Sequence, residues 1–291
     1  MVSDATGNWV FLGDSLTEGV GSSRVSYVSE LRSFLPKQAA FSTINVHEFR
    51  LRRVNPDTFN PYIRCNAAGM IDEDGRPNFG RSLWLWNLAS EGSTIESDRH
   101  WLPFIESLRP ERVFILRGGL ESVLRPVEWH LGDWPAWIPL TWRGYAALDP
   151  RCYFSDTWWR KAKQVSIDAA KQRLRHRLLD QRRGRPMLSP ETFDAELRKL
   201  LGSLRAVCHN MHVIGLLPIE ESTFPGSAGQ FAQVNLILEK AAKDHGASYL
   251  DWVAQIQPIL NRQFFYRDGF HPNQTGARVM AQHLFHHLLG Q

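Results

Sequence analysis

"FLGDSLTEGVG", residues 11–21, is the stretch on which the fold turns. Trp9, Val10, Phe11 and Leu12 lead into it as an apolar run that reads as a strand over 8–13, and Gly13-Asp14-Ser15 stops that run abruptly. A stop of this kind is either a plain turn between strand and helix or a serine held out for attack. In the second reading Asp14 is structural and holds the turn. The surrounding pattern has to decide.

Outward from residue 21, short apolar runs alternate with helical patterns. "VSYVSELRSFL", 25–35, spaces Val25, Val28, Leu31 and Leu35 at helical intervals. "TINVHEF" reads as a second strand. Residues 50–80 are rich in Pro, Asn, Asp, Gly and Arg and read as a long loop or insertion. "SLWLWNLA" (82–89) and "RVFILRGG" (112–119) are apolar strand candidates, with a helix expected over "SDRHWLPFIESL" between them and Ser97 near its start. Residues 120–155 break the rhythm: Trp129, Trp134, Trp137, Trp142 and Trp158 fall in or just beyond them among several prolines. Two helices come next, one over roughly 156–182 and one capped by Ser189 with Pro190 in its first turn. The second turns Phe193, Leu197, Leu200, Leu204 and Val207 inward. "MHVIGLLP" and "ASYLDW" are strands. "FAQVNLILEKAAKDHG" is a helix ending at Gly246, and "PNQTGARVMAQHLFHHLL" is a last helix with Asn273 as its cap.

Strands separated by helices mean βαβ crossovers, hence an α/β fold with a mainly parallel sheet and helices on both faces. One domain over 1–291 is expected, with an insertion or cap over 120–210. The chain holds 43% hydrophobic and 22% charged residues, as a globular protein with a real core does. It has no apolar run of ~20 residues, so no membrane span is expected. The start, "MVSDATGNWVF", lacks a basic segment followed by an apolar run, so no signal peptide is expected. Cys65, Cys152 and Cys208 form no CxxC pair, which argues against a disulfide framework or thiolate zinc site and for a cytoplasmic protein. The net charge is +4, and seven basic residues fall between Lys171 and Arg185. With no zinc-finger or RNP-type motif beside it, that run reads as the solvated face of a helix, and no nucleic-acid partner is expected.

In parallel sheets, functional groups gather at the carboxyl ends of the strands. If Ser15 has work to do, other polar residues must come after other strands, and they do. "NLASEGST" (87–94) succeeds the strand of 82–86, "GGLES" (118–122) succeeds "FILR", and "YRDGFHPNQTG" (266–276) precedes the last helix. A serine hydroxyl is a poor nucleophile at neutral pH until an imidazole takes its proton. A carboxylate on the other ring nitrogen fixes the tautomer and stabilises the imidazolium. Asp268 and His271, three residues apart in a tight turn, can form that pair. A reacting carbonyl also needs aimed N–H donors, and Gly92 lets a backbone N–H approach because no Cβ blocks the way.

GDSLT, then N-x-A-x-x-G-x-T, then D-G-x-H-P, in this order and at this separation, resembles the SGNH/GDSL hydrolase superfamily over nearly the whole chain. The resemblance implies a flavodoxin-like three-layer α/β/α sandwich, with the Trp-rich, partly helical segment as an insertion. It implies Ser15 as nucleophile, His271 as general base, Asp268 as its partner, and an oxyanion hole that includes the N–H groups of Ser15 and Gly92. "RCNAAG", with Gly69, is a poorer match for the middle block because no apolar strand precedes it. The third block departs. The family's G-x-N-D, whose Asn gives a third oxyanion donor, is Gly118-Gly119-Leu120-Glu121 here, and Leu cannot donate. Another group fills in, the hole has two donors, or the chemistry is altered; Asn87, Arg117 and Ser122 are the candidate substitutes. Glu121 reads as a solvent or salt-bridge residue.

The expected activity is cleavage of a small-molecule or carbohydrate ester through an acyl-enzyme on Ser15, with no metal and no organic cofactor. An O-acyltransferase on the same site is the rival, the 171–185 stretch then docking an acyl carrier protein or coenzyme A thioester. A non-catalytic binding protein is the third reading, motivated by Leu120. The tryptophans serve either to pack the insertion or to line a ligand site.

Overall fold

The computed structural model describes residues 7–19, 26–37, 45–50, 82–143, 157–182, 184–256, 261–266 and 268–289. Most of the loop expected over 50–80, with "RCNAAG" and Cys65, lies outside the described residues, as does Cys152.

Six strands form one sheet: β1 (Gly7–Gly13), β2 (Asn45–Arg50), β3 (Ser82–Asn87), β4 (Arg112–Leu116), β5 (Met211–Ile214) and β6 (Ser248–Leu250). Each lies within or overlaps a stretch that the sequence marks as a strand. Their order is β2-β3-β1-β4-β5-β6, and every described pairing is parallel. Parallel strands covered on both faces have no wet side, so "WVFL", "LWLW" and "VFIL" run without polar alternation. The helices among the described residues are α1 (Ser15–Glu18), α2 (Tyr27–Phe34), α3 (Leu102–Leu108), α4 (Gly119–Ser122), α5 (Val127–Leu131), α6 (Trp158–Arg182), α7 (Pro190–Arg205), α8 (Ser227–Asp244), α9 (Trp252–Ile256) and α10 (Gln274–Leu289). They cover both sides of the sheet, which makes a three-layer α/β/α sandwich.

Chain order sets where a site can form. After β1 the chain runs out to the edge at β2 and returns to β3; it then crosses β1 to build β4, β5 and β6 on the other side. The direction reverses at β1, so the crevice at its carboxyl end is the topological switch point. Gly13-Asp14-Ser15 sits there.

Two helix boundaries differ from expectation. The helix expected over 97–108 begins as a 3-10 turn, Ile95–Trp101, and becomes α3 only at Leu102. Ser97 is inside that turn, where its Oγ accepts from Thr94 N at 3.0 Å. α8 starts at Ser227, because Gly226 at φ 76° bends the chain there. The last helix is capped as expected, with Asn273 Oδ1 accepting from Thr275 N and Gly276 N at 2.9 and 3.1 Å.

Aromatic rings fill the centre. Phe11 stacks on Phe114 at 4.6 Å, and Tyr27 meets Trp252 edge-on at 5.5 Å. Asn8, a buried polar residue among them, is hydrogen-bonded on both sides: it accepts from Trp86 Nε1 at 2.8 Å and donates to Leu108 O at 2.9 Å. α7 turns Phe193, Leu197, Leu200 and Leu204 into the same core and packs on α8. The stretch before it differs. Ile138 and Leu178 form a small separate cluster with Trp134, Trp142 and Leu174, which ties residues 134–142 to α6. These two tryptophans pack the segment, whereas Trp137 and Trp158 are exposed at 66% and 79%. The basic run is not purely solvated: Arg175 is buried, donates to Leu124 O at 2.8 Å and lies over the Phe224 ring.

His212 on β5 is buried and stacked on Phe114. Arg112 Nη1 lies 3.3 Å from its Nε2. An arginine can only donate, so that nitrogen accepts and Nδ1 carries the proton. Burial first, then Arg112 and His287, pull this imidazole down to about 3. The folded protein keeps it neutral while the unfolded chain protonates it near 6.5. Stability is therefore whole above pH 6.5 and falls as pH drops toward 3, by up to ~1.4 kcal/mol per unit. Urea unfolding from pH 7 to 4 is expected to show that decline, and His212→Phe to flatten it.

Candidate active site

β1 ends at Gly13 because nothing larger fits. A Cβ there would meet Thr17 Oγ1 at 2.1 Å and Leu116 O at 3.1 Å. Asp14 is buried and caps the next turn: its Oδ1 accepts from Leu16 N at 2.9 Å, and its carbonyl accepts from Thr17 N and Glu18 N. Ser15 is thus the first residue of α1, which closes after one turn at Gly19, φ 83°. Thr17 anchors the turn from below, with its hydroxyl 3.2 Å from Tyr27 OH and its carbonyl accepting from Asn87 Nδ2 at 2.9 Å.

The second arm comes from the far end of the chain. Asp268 Oδ1 accepts from Phe270 N and His271 N, both at 3.0 Å, and Oδ2 lies 2.6 Å from His271 Nδ1. His271 Nε2 lies 2.8 Å from Ser15 Oγ. An ionised carboxylate only accepts, so Nδ1 carries the proton and Nε2 is free to accept from the serine hydroxyl. Burial pushes the Asp268 carboxyl up. The hydrogen bond and charge of His271, with the two backbone N–H groups, outweigh it and hold Asp268 below the ordinary aspartate value. Phe270, edge-on to the imidazole at 4.9 Å, is packed in turn by Phe224 and Phe231. Asp268 is buried, whereas Ser15 and His271 are half-buried, and a narrow gap too small for a water molecule lies beside Ser15. Its walls include Leu16, Tyr27, Pro272, Ala277 and Met280.

The loop after β3 closes over the same ground. Glu91 N donates to Glu18 Oε2, and Ser93 Oγ donates to Ser90 O at 2.7 Å and sits 3.3 Å from Gly13 O. Gly92 lies between them at φ 77°, a conformation that favours glycine. The three candidate substitute donors all have other partners. Asn87 Nδ2 donates to Thr17 O, and Ser122 Oγ donates to Gly118 O. Arg117 donates through Nε and Nη2 to Asp98 and through Nη1 to Ser93 O at 2.7 Å. Glu121 is not a solvent residue. It is buried, with Oε1 accepting from Ile95 N at 2.8 Å and Oε2 from Gly118 N at 3.2 Å. Burial raises its carboxyl to about 7 against the pull of Arg117. Sequence reasoning missed Asp98 and read Glu121 only as a solvent or salt-bridge residue, without its burial or its bonds to Ile95 N and Gly118 N. Among the described residues no group of three His, Cys, Asp or Glu side chains is placed to hold a metal ion.

No protein-family model matches the chain. No curated protein sequence matches it either. Solved structures do. The acetylxylan esterase Axe2 of Geobacillus stearothermophilus superimposes with a TM-score of 0.53 at 13% identity, covering 97% of this chain and 95% of that one. LAE5, an α/β hydrolase enzyme from the metagenome of Lake Arreo, gives 0.51 at 15% identity, covering 96% and 94%. A protein of Parabacteroides merdae assigned as a GDSL-like lipase gives 0.50 at 13%, covering 97% and 94%. The chain has the fold of these three proteins. At such identities the likeness concerns the backbone, and the chemistry rests on this chain's own residues.

The Gly13 contact yields a paired test. Gly13→Ala is expected to destabilise the protein by ~1–3 kcal/mol through overpacking against Thr17. Gly229→Ala, in the first turn of α8 with nothing within 4 Å, is expected to add ~0.5–1 kcal/mol. Thermal unfolding of the two variants checks both signs.

Proposed function

We propose that this chain is a serine esterase of the SGNH/GDSL type, acting on small-molecule or carbohydrate esters. The observation that carries the reading is the unbroken line from Ser15 Oγ through His271, 2.8 Å on one side and 2.6 Å on the other, to the buried Asp268. His271 Nε2 takes the hydroxyl proton as Ser15 Oγ attacks the ester carbonyl carbon. Asp268 keeps the imidazole in the accepting tautomer and stabilises the imidazolium that forms. The N–H groups of Ser15 and Gly92 hold the oxyanion. The alkoxide leaves with the proton from His271, and water, activated by the same imidazole, then hydrolyses the acyl-enzyme.

Ser15 and His271 are only partly buried, so water can reach the acyl-enzyme. The proposed steps need no metal or organic cofactor. Axe2, named as an acetylxylan esterase, makes acetylated sugars a sensible first substrate set.

A fluorophosphonate probe is expected to label Ser15 in the wild type, read by intact mass and peptide map. Labelling is expected to vanish in Ser15→Ala and His271→Ala, and Asp268→Asn to lower kcat for p-nitrophenyl acetate by ~10⁴ through the wrong tautomer. A Ser15→Ala protein with undiminished hydrolysis would sink the reading.

A further inference from the structure

Leu120 stands where a side-chain oxyanion donor is expected, and Asn87, Arg117 and Ser122 all donate elsewhere. What the structure holds instead is a buried polar framework behind the loop of 90–95. Arg117, 1% exposed, sits at the end of β4. Its Nε and Nη2 grip both oxygens of Asp98, which is itself fully buried. Its Nη1 reaches back to Ser93 O at 2.7 Å and Ser93 Oγ at 3.0 Å. Four residues on, Glu121 bridges Ile95 N and Gly118 N. The loop is thus held at Ser93 and Ile95 from the β4 end. From the β1 side it is held at Glu91 by Glu18, while Ser93 lies against Gly13. Gly92 is the residue between these fixed points.

We propose that Arg117, Asp98 and Glu121 are positioning residues that fix the 90–95 loop against Ser15, so that the Gly92 N–H is aimed at the developing oxyanion. In this arrangement rigidity of a backbone donor takes the place of the side-chain donor that Leu120 cannot supply. The logic is that of preorganisation: a donor already aimed needs no reorganisation when charge appears. None of the three touches substrate; each acts through the loop. A planar guanidinium is suited to the task because one side chain bonds a carboxylate with two nitrogens and still has a third for a carbonyl. A lysine has no such fork.

This inference rests on the esterase reading, and its test separates the two. Arg117→Lys, Glu121→Gln and Ser93→Ala are compared with the wild type for p-nitrophenyl acetate hydrolysis. Affinity for a phenylboronic acid, which mimics the tetrahedral state on the serine, is measured in parallel. Outright loss of an oxyanion donor costs ~10²–10³ in kcat, so a loosened one is expected to cost ~10-fold or more. KM is expected to stay within about twofold, with boronate affinity falling in step with kcat. Ser93→Ala leaves the buried ion pair intact and decides the matter should the charged variants fail to fold. Folded variants with unchanged kcat and boronate affinity, or with losses confined to KM, overturn the proposal while the esterase reading stands. A wild type that neither hydrolyses ester nor accepts the fluorophosphonate sinks both.

Discussion

The end of β1 leaves no space. Gly13 is pressed between Thr17 and Leu116, and that single crowding sets the path of the chain into α1. A side chain at this point would push α1 off the sheet. Without one, the chain turns hard enough to bring Ser15 up at the switch point, where β1 is paired to β3 on one edge and β4 on the other. All three loops that leave these strands then converge on one spot. Asp14, Thr17, Asn87 and Ser93 knit the first two together and Arg117 ties the third to Ser93, so the position of the serine is set by hydrogen bonds in three segments and not by its own helix of one turn.

Behind the loops lies an arrangement that stability alone would not select. Taking Arg117 and Asp98 out of water costs several kcal/mol per ion, and a hydrophobic pair of similar volume is often no worse. What a hydrophobic pair cannot do is hold a loop carbonyl in a fixed direction. Here the guanidinium bonds the carboxylate and Ser93 O at once, and the Glu121 carboxyl is shared by two backbone N–H groups from different segments. Each buried charge is matched by donors or acceptors of the right sign. That matching is the condition under which such a network rigidifies its surroundings instead of weakening them.

Much of this was legible in the sequence. Parallel strands buried on both faces leave unbroken apolar runs, and the turns after them leave glycines and short polar residues. Ser189, Pro190 and Asn273 marked helix starts because unsatisfied N–H groups select a few residue types. Ser15, Asp268 and His271 stood out because their chemistry constrains both identity and spacing, and the structure brings them within hydrogen-bond distance. Asp98 and Glu121 left no comparable trace. A charged residue in a loop looks the same whether it faces water or the interior, and only the tertiary contacts of Ile95 and Arg117 tell the two apart. The 3-10 turn at 95–101 carries a tie of the same kind, Ile95 N to Glu121 Oε1, which no local pattern announces.

The distribution of the site along the chain has a last consequence. Ser15 and His271 are 256 residues apart, and the contact between them exists only once both ends of the chain have docked. The docking is done by α2 and α10, which pack together through an edge-on pair, Phe34 and Phe285, with centroids 5.0 Å apart. Arg278 Nε and Glu30 Oε2 add a contact at 3.1 Å, exposed enough to contribute little. Held this way, the backbone at His271 is anchored by the last helix, and Asp268 orients the ring. Local fraying near 271 is opposed by the buried face of α10, where Met280, Leu284 and Leu288 lie in the main core. The geometry of the serine and histidine is therefore a property of the whole fold, and its persistence is set by the same apolar burial that holds the sandwich together.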